Sequence, residues 1–259
     1  MLGWSINLFR VRGILLSVHF SFLLLPAYAA YAGYQEAGLA GLIWSVALLL
    51  LFFVCVVLHE LGHSLVARHF GVGVSRILLL PFGGMAQFDT IPRQPSRELL
   101  ITLAGPAVNF AIAGILLPFV SLSKHWTLSS YPNSLSDIAL YLLFANLVMG
   151  TFNLLPAFPM DGGRILRALL ATQMPYVRAT FWAATTGKIV AIAGIIAGIW
   201  AQWYLLAALF GFILFVGEAE YRALLRRDEE DARWRRVLAE YEAVRTAFPP
   251  SDEPPLLTK

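Results

Sequence analysis

Charge is what this chain has least of. Only 14% of its 259 residues are Asp, Glu, Lys or Arg, and 58% are hydrophobic, whereas a soluble domain carries about 25% charged residues. With a mean hydropathy of +0.69, an ordinary water-soluble fold is excluded and an integral membrane protein is expected. Cysteine is almost missing: Cys55 is the only one. It cannot form an internal disulfide, and within an apolar run it reads as a small, inert hydrophobe. Concentrated positive charge is also missing. The formal net charge is +3, with the basic residues spread over loops and the tail. This argues against a nucleic-acid partner and makes the charges a signal of topology.

What the chain has instead is long apolar runs. A helix needs roughly 20 apolar residues to cross a bilayer. Uncharged runs of about that length occupy 13–31, 38–58, 99–120 and 138–158. A fifth stretch, 179–217, is broken only by Lys188 and fits two spans, 179–199 and 201–217, with a turn near Ala201-Gln202. The first run, flanked by Arg10 and Arg12, could also be read as a cleaved signal peptide, but it continues past a normal signal core. Cytoplasmic loops collect Lys and Arg. With six spans and both termini inside, 17 of the 19 basic residues fall on the cytoplasmic side. Lys124 falls outside, and Lys188 lies within a span, facing the bundle interior or reaching for an interface. The expected fold is an all-α polytopic membrane protein with about six transmembrane helices. Residues 1–217 would be the membrane domain and 218–259 a cytoplasmic tail, an amphipathic helix over 218–246 followed by the disordered "FPPSDEPPLLTK".

The second apolar run leads directly into His59, Glu60 and His63. Ionisable groups at the edge of a span are costly unless they are paired or face a cavity. On a helix His59 and His63 lie one turn apart on one face, so two imidazoles can grip one metal ion. Glu60 is placed to take a proton from a water at that ion. His-Glu-x-x-His is the signature of zinc protease helices; the competing reading is a set of interfacial polar residues at a helix end. A catalytic zinc takes three protein ligands, and the candidate third lies in "NLLPAFPMDGGR", 153–164. Pro156 and Pro159 bar a regular helix there. Asp161 with Gly162 and Gly163 alone would suit a plain turn, but in the six-span topology Asp161 and the two histidines reach the same side of the membrane.

Together these pieces resemble the site-2 protease family of intramembrane zinc metalloproteases (peptidase family M50). The resemblance rests on His59-Glu60-x-x-His63 and Asn153-x-x-Pro156-x-x-Pro159-x-Asp161-Gly162-Gly163. Two further pieces support it: Gly83-Gly84-x-Ala86-x-Phe88, similar to a membrane-associated β-hairpin, and Ala104-Gly105-Pro106-x-x-Asn109, similar to the next span. The resemblance implies one Zn2+ per chain held by His59, His63 and Asp161, with Glu60 as general base and Asn153 helping to polarise the scissile carbonyl. It implies a multi-pass enzyme of the cell membrane that cuts transmembrane protein substrates, such as single-pass signalling proteins or signal-peptide remnants, within the lipid bilayer. Many relatives carry PDZ or CBS modules; none is expected here.

Two other readings stay open at this stage. Other multi-span zinc proteases take a Glu as third ligand, but no Glu occurs between Glu98 and Glu218. A non-enzymatic scaffold would have no need of Glu60. Of the remaining polar positions, His19, His69 and His125 lack partner spacing and are not expected as ligands. Asn109 and Asn146 either bridge helices or support the site. Residues 74–90 read as a hairpin turning at Gly83-Gly84, whose edge strand could pair with an extended substrate or simply lie on the membrane.

Overall fold

The computed structural model describes residues 4–89, 93–121 and 135–247. Lys124, His125 and the segment 248–259 lie outside the described residues. Two strands open the chain, β1 (Ser5–Val11) and β2 (Ile14–His19), followed by a 3-10 turn, Phe20–Leu23. Next come α1 (Leu24–His69), β3 (Val74–Leu80), β4 (Gly83–Phe88), α2 (Pro95–Ser121) and α3 (Leu135–Asn153). The chain continues with α4 (Asp161–Leu170), α5 (Tyr176–Trp200) and α6 (Tyr204–Ala247). Five of the helices are long and apolar enough to cross a membrane.

The first of these is two helices in one. Ala37 (φ −144°, ψ 30°) and Gly38 (φ 59°, ψ −141°) leave helical geometry, and the second pair of angles suits glycine. The chain then doubles back. A Cβ on Gly33 would lie 2.4 Å from the Gly41 carbonyl oxygen and from Ser45 Oγ. The rings of Phe22 and Phe53 meet edge to face at 4.6 Å, although a straight helix would hold residues so far apart in sequence about 46 Å from each other. Two glycines at the crossing let the backbones of the arms touch.

The sheet is larger than the expected hairpin. Its order is β1-β2-β3-β4, with β2 parallel to β3 (Leu15 opposite Arg76) and the outer pairs antiparallel. The apolar run at 13–31 therefore begins as a strand and becomes a helix only after His19. Both faces of β2 are covered: Ile14, Leu16, Ser17 and Val18 are all buried. A strand covered on both faces reads as a continuous apolar run and carries no alternation to distinguish it from a helix. Ile14, Leu16, Val18, Ile77 and Leu79 pack with Phe22, Phe53 and Val56 into one core between the sheet and the α1 hairpin. The β3–β4 turn sits at Pro81-Phe82, since Leu80 already pairs with Gly83.

The turn between α5 and α6 falls where expected: Gln202 has a positive φ of 60°, and Trp203 N–H donates to Gly198 O at 2.7 Å. Beyond it α6 runs unbroken through residue 217 into the charged tail. The tail helix is thus the continuation of the last apolar helix. Lys188 points sideways to Glu218, with Nζ–Oε2 at 2.7 Å, and lies over the Tyr221 ring.

Candidate metal centre and active site

His59 and His63 occupy the last turns of the second arm of α1, and both are buried. Each ring is oriented through its Nδ1. His59 Nδ1 donates to Asn109 Oδ1 at 2.6 Å, and His63 Nδ1 donates to the Ile101 carbonyl at 2.8 Å. Both partners lie on α2, and both Nε2 atoms are left facing one point. A donor bond at Nδ1 fixes tautomer and direction, as it does for metal-binding histidines generally.

Asp161 comes to the same point from the far side. After α3 ends at Asn153, residues 154–160 run without regular structure, with a cis bond before Pro159. The loop packs tightly on the start of α4. A Cβ on Gly162 would fall 2.2 Å from Leu155 O, and one on Gly163 would fall 2.7 Å from Phe158 N. Small residues on two other helices close around it: a Cβ on Gly187 would meet Ala157 Cα at 2.9 Å, and one on Gly217 would meet Phe158 O at 2.4 Å. Asp161 is the first residue of α4, where the helix dipole favours a negative charge.

The three donor atoms form a nearly equilateral triangle. His59 Nε2 and His63 Nε2 are 3.1 Å apart, and each is 3.2 Å from Asp161 Oδ2. A tetrahedral ion with bonds of about 2.0–2.1 Å holds its ligands about 3.3 Å apart. Asp161 Oδ2 is buried and makes no ordinary hydrogen bond, which is the state of an oxygen that needs a cation. Among the described residues this is the one group of three or more His, Cys, Asp or Glu donors able to hold a metal ion. Two imidazoles and one carboxylate suit zinc and leave a fourth position for water.

The other expected site residues lie close by in the chain. Glu60 is half-buried, and β4 runs past it: a Cβ on Gly84 would touch Glu60 Cγ at 2.6 Å. Asn153 closes α3, partly buried, eight residues before Asp161. His19 instead caps the 3-10 turn by accepting from Ser21 N–H, and His69 meets the Phe70 ring edge to face.

Two supports come from α2, and for the asparagines the two roles left open by the sequence prove to be one. Asn109 passes its contact onward, donating to Asn146 Oδ1 at 2.9 Å; Asn146 Nδ2 in turn reaches Cys55 Sγ at 3.2 Å. The two asparagines therefore bridge helices and orient His59 at once. Gly105 is the other. A Cβ there would lie 2.2 Å from His63 Nε2 and 2.8 Å from His59 Cε1, so the backbone of α2 forms one wall of the site. The Gly-Pro pair at 105–106 marked that place, but only the folded chain gives the reason.

Arg167 on α4 and Glu98 on α2 brace the arrangement. Both are almost fully buried (1% and 2% exposed). Arg167 Nε donates to Glu98 Oε1 at 2.8 Å, with its guanidinium between the rings of Phe158 and Tyr176. Arg164 pairs with Glu220 of α6 at 3.1 Å, and that carboxylate, with burial opposing it, holds the guanidinium above its ordinary pKa.

The comparisons with known proteins agree with this geometry. The family model described as peptidase family M50 matches residues 47–131 and 120–194, together more than half of the chain. A zinc metalloprotease of Methanocaldococcus jannaschii is 41% identical over 224 residues, 86% of this chain and 62% of that protein. The Rip3 protein of Mycobacterium tuberculosis is 31% identical over 236 residues, 79% of this chain and 57% of its own length. The chain thus spans about 60% of the length of these two relatives. The solved structure of a site-2 protease from Methanocaldococcus jannaschii superposes with a TM-score of 0.62 at 39% identity, covering 84% of this chain and 95% of that one. With two histidines and an aspartate converging on one point inside a polytopic helical fold, the chain belongs to peptidase family M50.

Proposed function

We propose that this protein is an intramembrane zinc metalloprotease that hydrolyses peptide bonds in or near transmembrane segments of other membrane proteins. The observation that carries the reading is the donor triangle of His59, His63 and Asp161 at the end of an apolar helix, with Glu60 one residue from the first ligand. A zinc ion held by those three side chains would acidify a water molecule and polarise a carbonyl. Glu60, one residue from His59, would serve as the general base, accepting a proton from the attacking water and passing it to the leaving amine. Asn153 donates to the scissile carbonyl and helps to carry its developing negative charge. Asn109 and the Ile101 carbonyl keep the two rings in register throughout.

A helical substrate hides its peptide bonds and has to be drawn out before attack. Strand β4 is an edge of the sheet, and its Gly84 lies against Glu60. Addition of a substrate strand to this edge would deliver an extended peptide beside the base. Proline placed in turn at Met85 and Ala86 tests this. The position whose N–H faces the open edge should lose cleavage of a membrane reporter while its zinc content is unchanged. Full cleavage by both variants would refute strand addition.

In the bilayer, the α1 hairpin and the four other apolar helices make six passes. Both termini and the site then lie toward the cytoplasm, in the cell membrane. Transmembrane proteins, such as single-pass signalling proteins or signal-peptide remnants, are the substrate class that the family resemblance supports. The decisive variant is Glu60→Gln. Zinc content should remain at one per chain by metal analysis, and cleavage of a transmembrane reporter should fall by at least about a hundredfold, the scale of a lost general base. Cleavage near the native rate would return the protein to the class of scaffolds.

A further inference from the structure

The last turns of α6 carry a second feature that the metal centre does not use. Trp234, Val237, Leu238, Tyr241 and Val244 are all well exposed, from 46% to 65%. Their spacing is that of a coiled-coil seam: Trp234, Val237, Tyr241 and Val244 alternate by three and four residues, and Leu238 lies beside them.

Among the described residues, the protein's own bundle leaves this stripe open. The helix is fixed to the bundle on another side, through Arg164 to Glu220 and through Arg93 to Asp228 and Asp231, both at 2.8 Å. At roughly 100° per residue, the stripe lies about 110° around the helix from those acidic residues. It lies on the same side as Leu205 and Phe215, which are 87% and 74% exposed within the apolar part of α6. One exposed face therefore runs from the apolar half of the helix into its charged half.

We propose that this face pairs with the same face of a second copy of the chain, forming a parallel two-stranded coiled coil over 234–244. The flanking charges favour that occupant. In a parallel pair with Trp234 and Tyr241 at the first core position, Glu240 faces Arg245 of the other helix, and the two-fold repeats that attractive contact. Two chains held in one bilayer present their α6 helices side by side in the same direction, which lowers the cost of a short seam. A lipid surface fits less well, although Arg233, Arg235 and Arg236 surround Trp234. Helix α6 is unbroken to Ala247, so Val244 stands about 20 Å along the axis from the Asp231 anchor. Headgroups would reach the first turn of the stripe only.

The test uses the full chain in lipid nanodiscs large enough for two copies. Single cysteines are placed at Val237, Tyr241 and, on the outer face, Ala239, with Cys55 left in its buried place. Oxidation should give cross-linked dimers severalfold more readily at 237 and 241 than at 239. In detergent, Glu240→Arg or Arg245→Glu alone should lower the dimer fraction measured by light scattering, and the double variant should restore it. Equal cross-linking at all three sites would overturn the proposal. So would a monomer under every condition, a double variant no better than the singles, or protection of 237 and 241 by lipid without dimer formation.

Discussion

At the scale of single residues, the site depends on what is left out as much as on what is present. Gly105 is a wall made of backbone, with His63 Nε2 2.2 Å from where a first side-chain carbon would stand. That is closer than real carbons approach, and the neighbour is a metal-binding atom held from behind by Ile101 O. Gly105→Ala should therefore abolish zinc binding, as read by metal analysis of the purified protein, while helical content by circular dichroism stays as in the wild type. Gly114, on the same helix with open space around it, should accept alanine without loss of zinc. The pairing of His59 and His63 on one helix face was legible before folding, because four-residue spacing on a helix is a property of sequence. Gly105 was not, because its importance comes from a helix that approaches from elsewhere in the chain.

At the scale of elements, α4 has to present Asp161 against a hairpin that it does not follow directly. What fixes it to α2 is the buried Glu98–Arg167 pair, whose guanidinium also lies against the rings of Phe158 and Tyr176. Removing one partner of such a pair leaves an uncompensated buried charge and costs about 3–5 kcal/mol. Glu98→Gln is expected to lower the melting temperature clearly and to weaken zinc retention against a chelator. A double change of Glu98 and Arg167 to similar-sized apolar residues should recover much of the stability. The long helices were readable from apolar runs, and so was the break at Pro156 and Pro159. The β2 strand was not: covered on both faces, Ile14 to Val18 lack the alternation that separates strand from helix. The β3–β4 turn was placed two residues late because glycines mark turns, whereas Gly83 here opens the strand, with φ +141°.

At the scale of the whole molecule, the fold is a set of apolar helices with a small sheet on one side and a charged helix continuing from the last of them. Its orientation can be checked through the reversal at Ala37-Gly38. A reporter inserted there should read as lying outside the cell, and one at the end of the chain as lying in the cytoplasm. The same side for both would mean that the α1 hairpin does not cross and would remove the six-pass reading. That reversal was legible only as a gap between two apolar runs. The close meeting of Gly33 and Gly41 explains why so short a turn can join them. Lys188, without an account in the sequence, finds one in Glu218, thirty residues later on the neighbouring helix.

The metal-binding side chains are drawn from parts of the chain that leave the ribosome at different times, with His59 and His63 early and Asp161 98 positions after the second of them. Until α4 has been threaded into place, the nascent polypeptide offers an ion the two imidazole nitrogens without the Asp161 oxygen that completes the triangle. On the proposed function, a half-inserted chain would lack a complete set of metal donors and so could not cut its own emerging segments. The hydrolytic activity proposed above would begin only after most of the molecule had entered the bilayer.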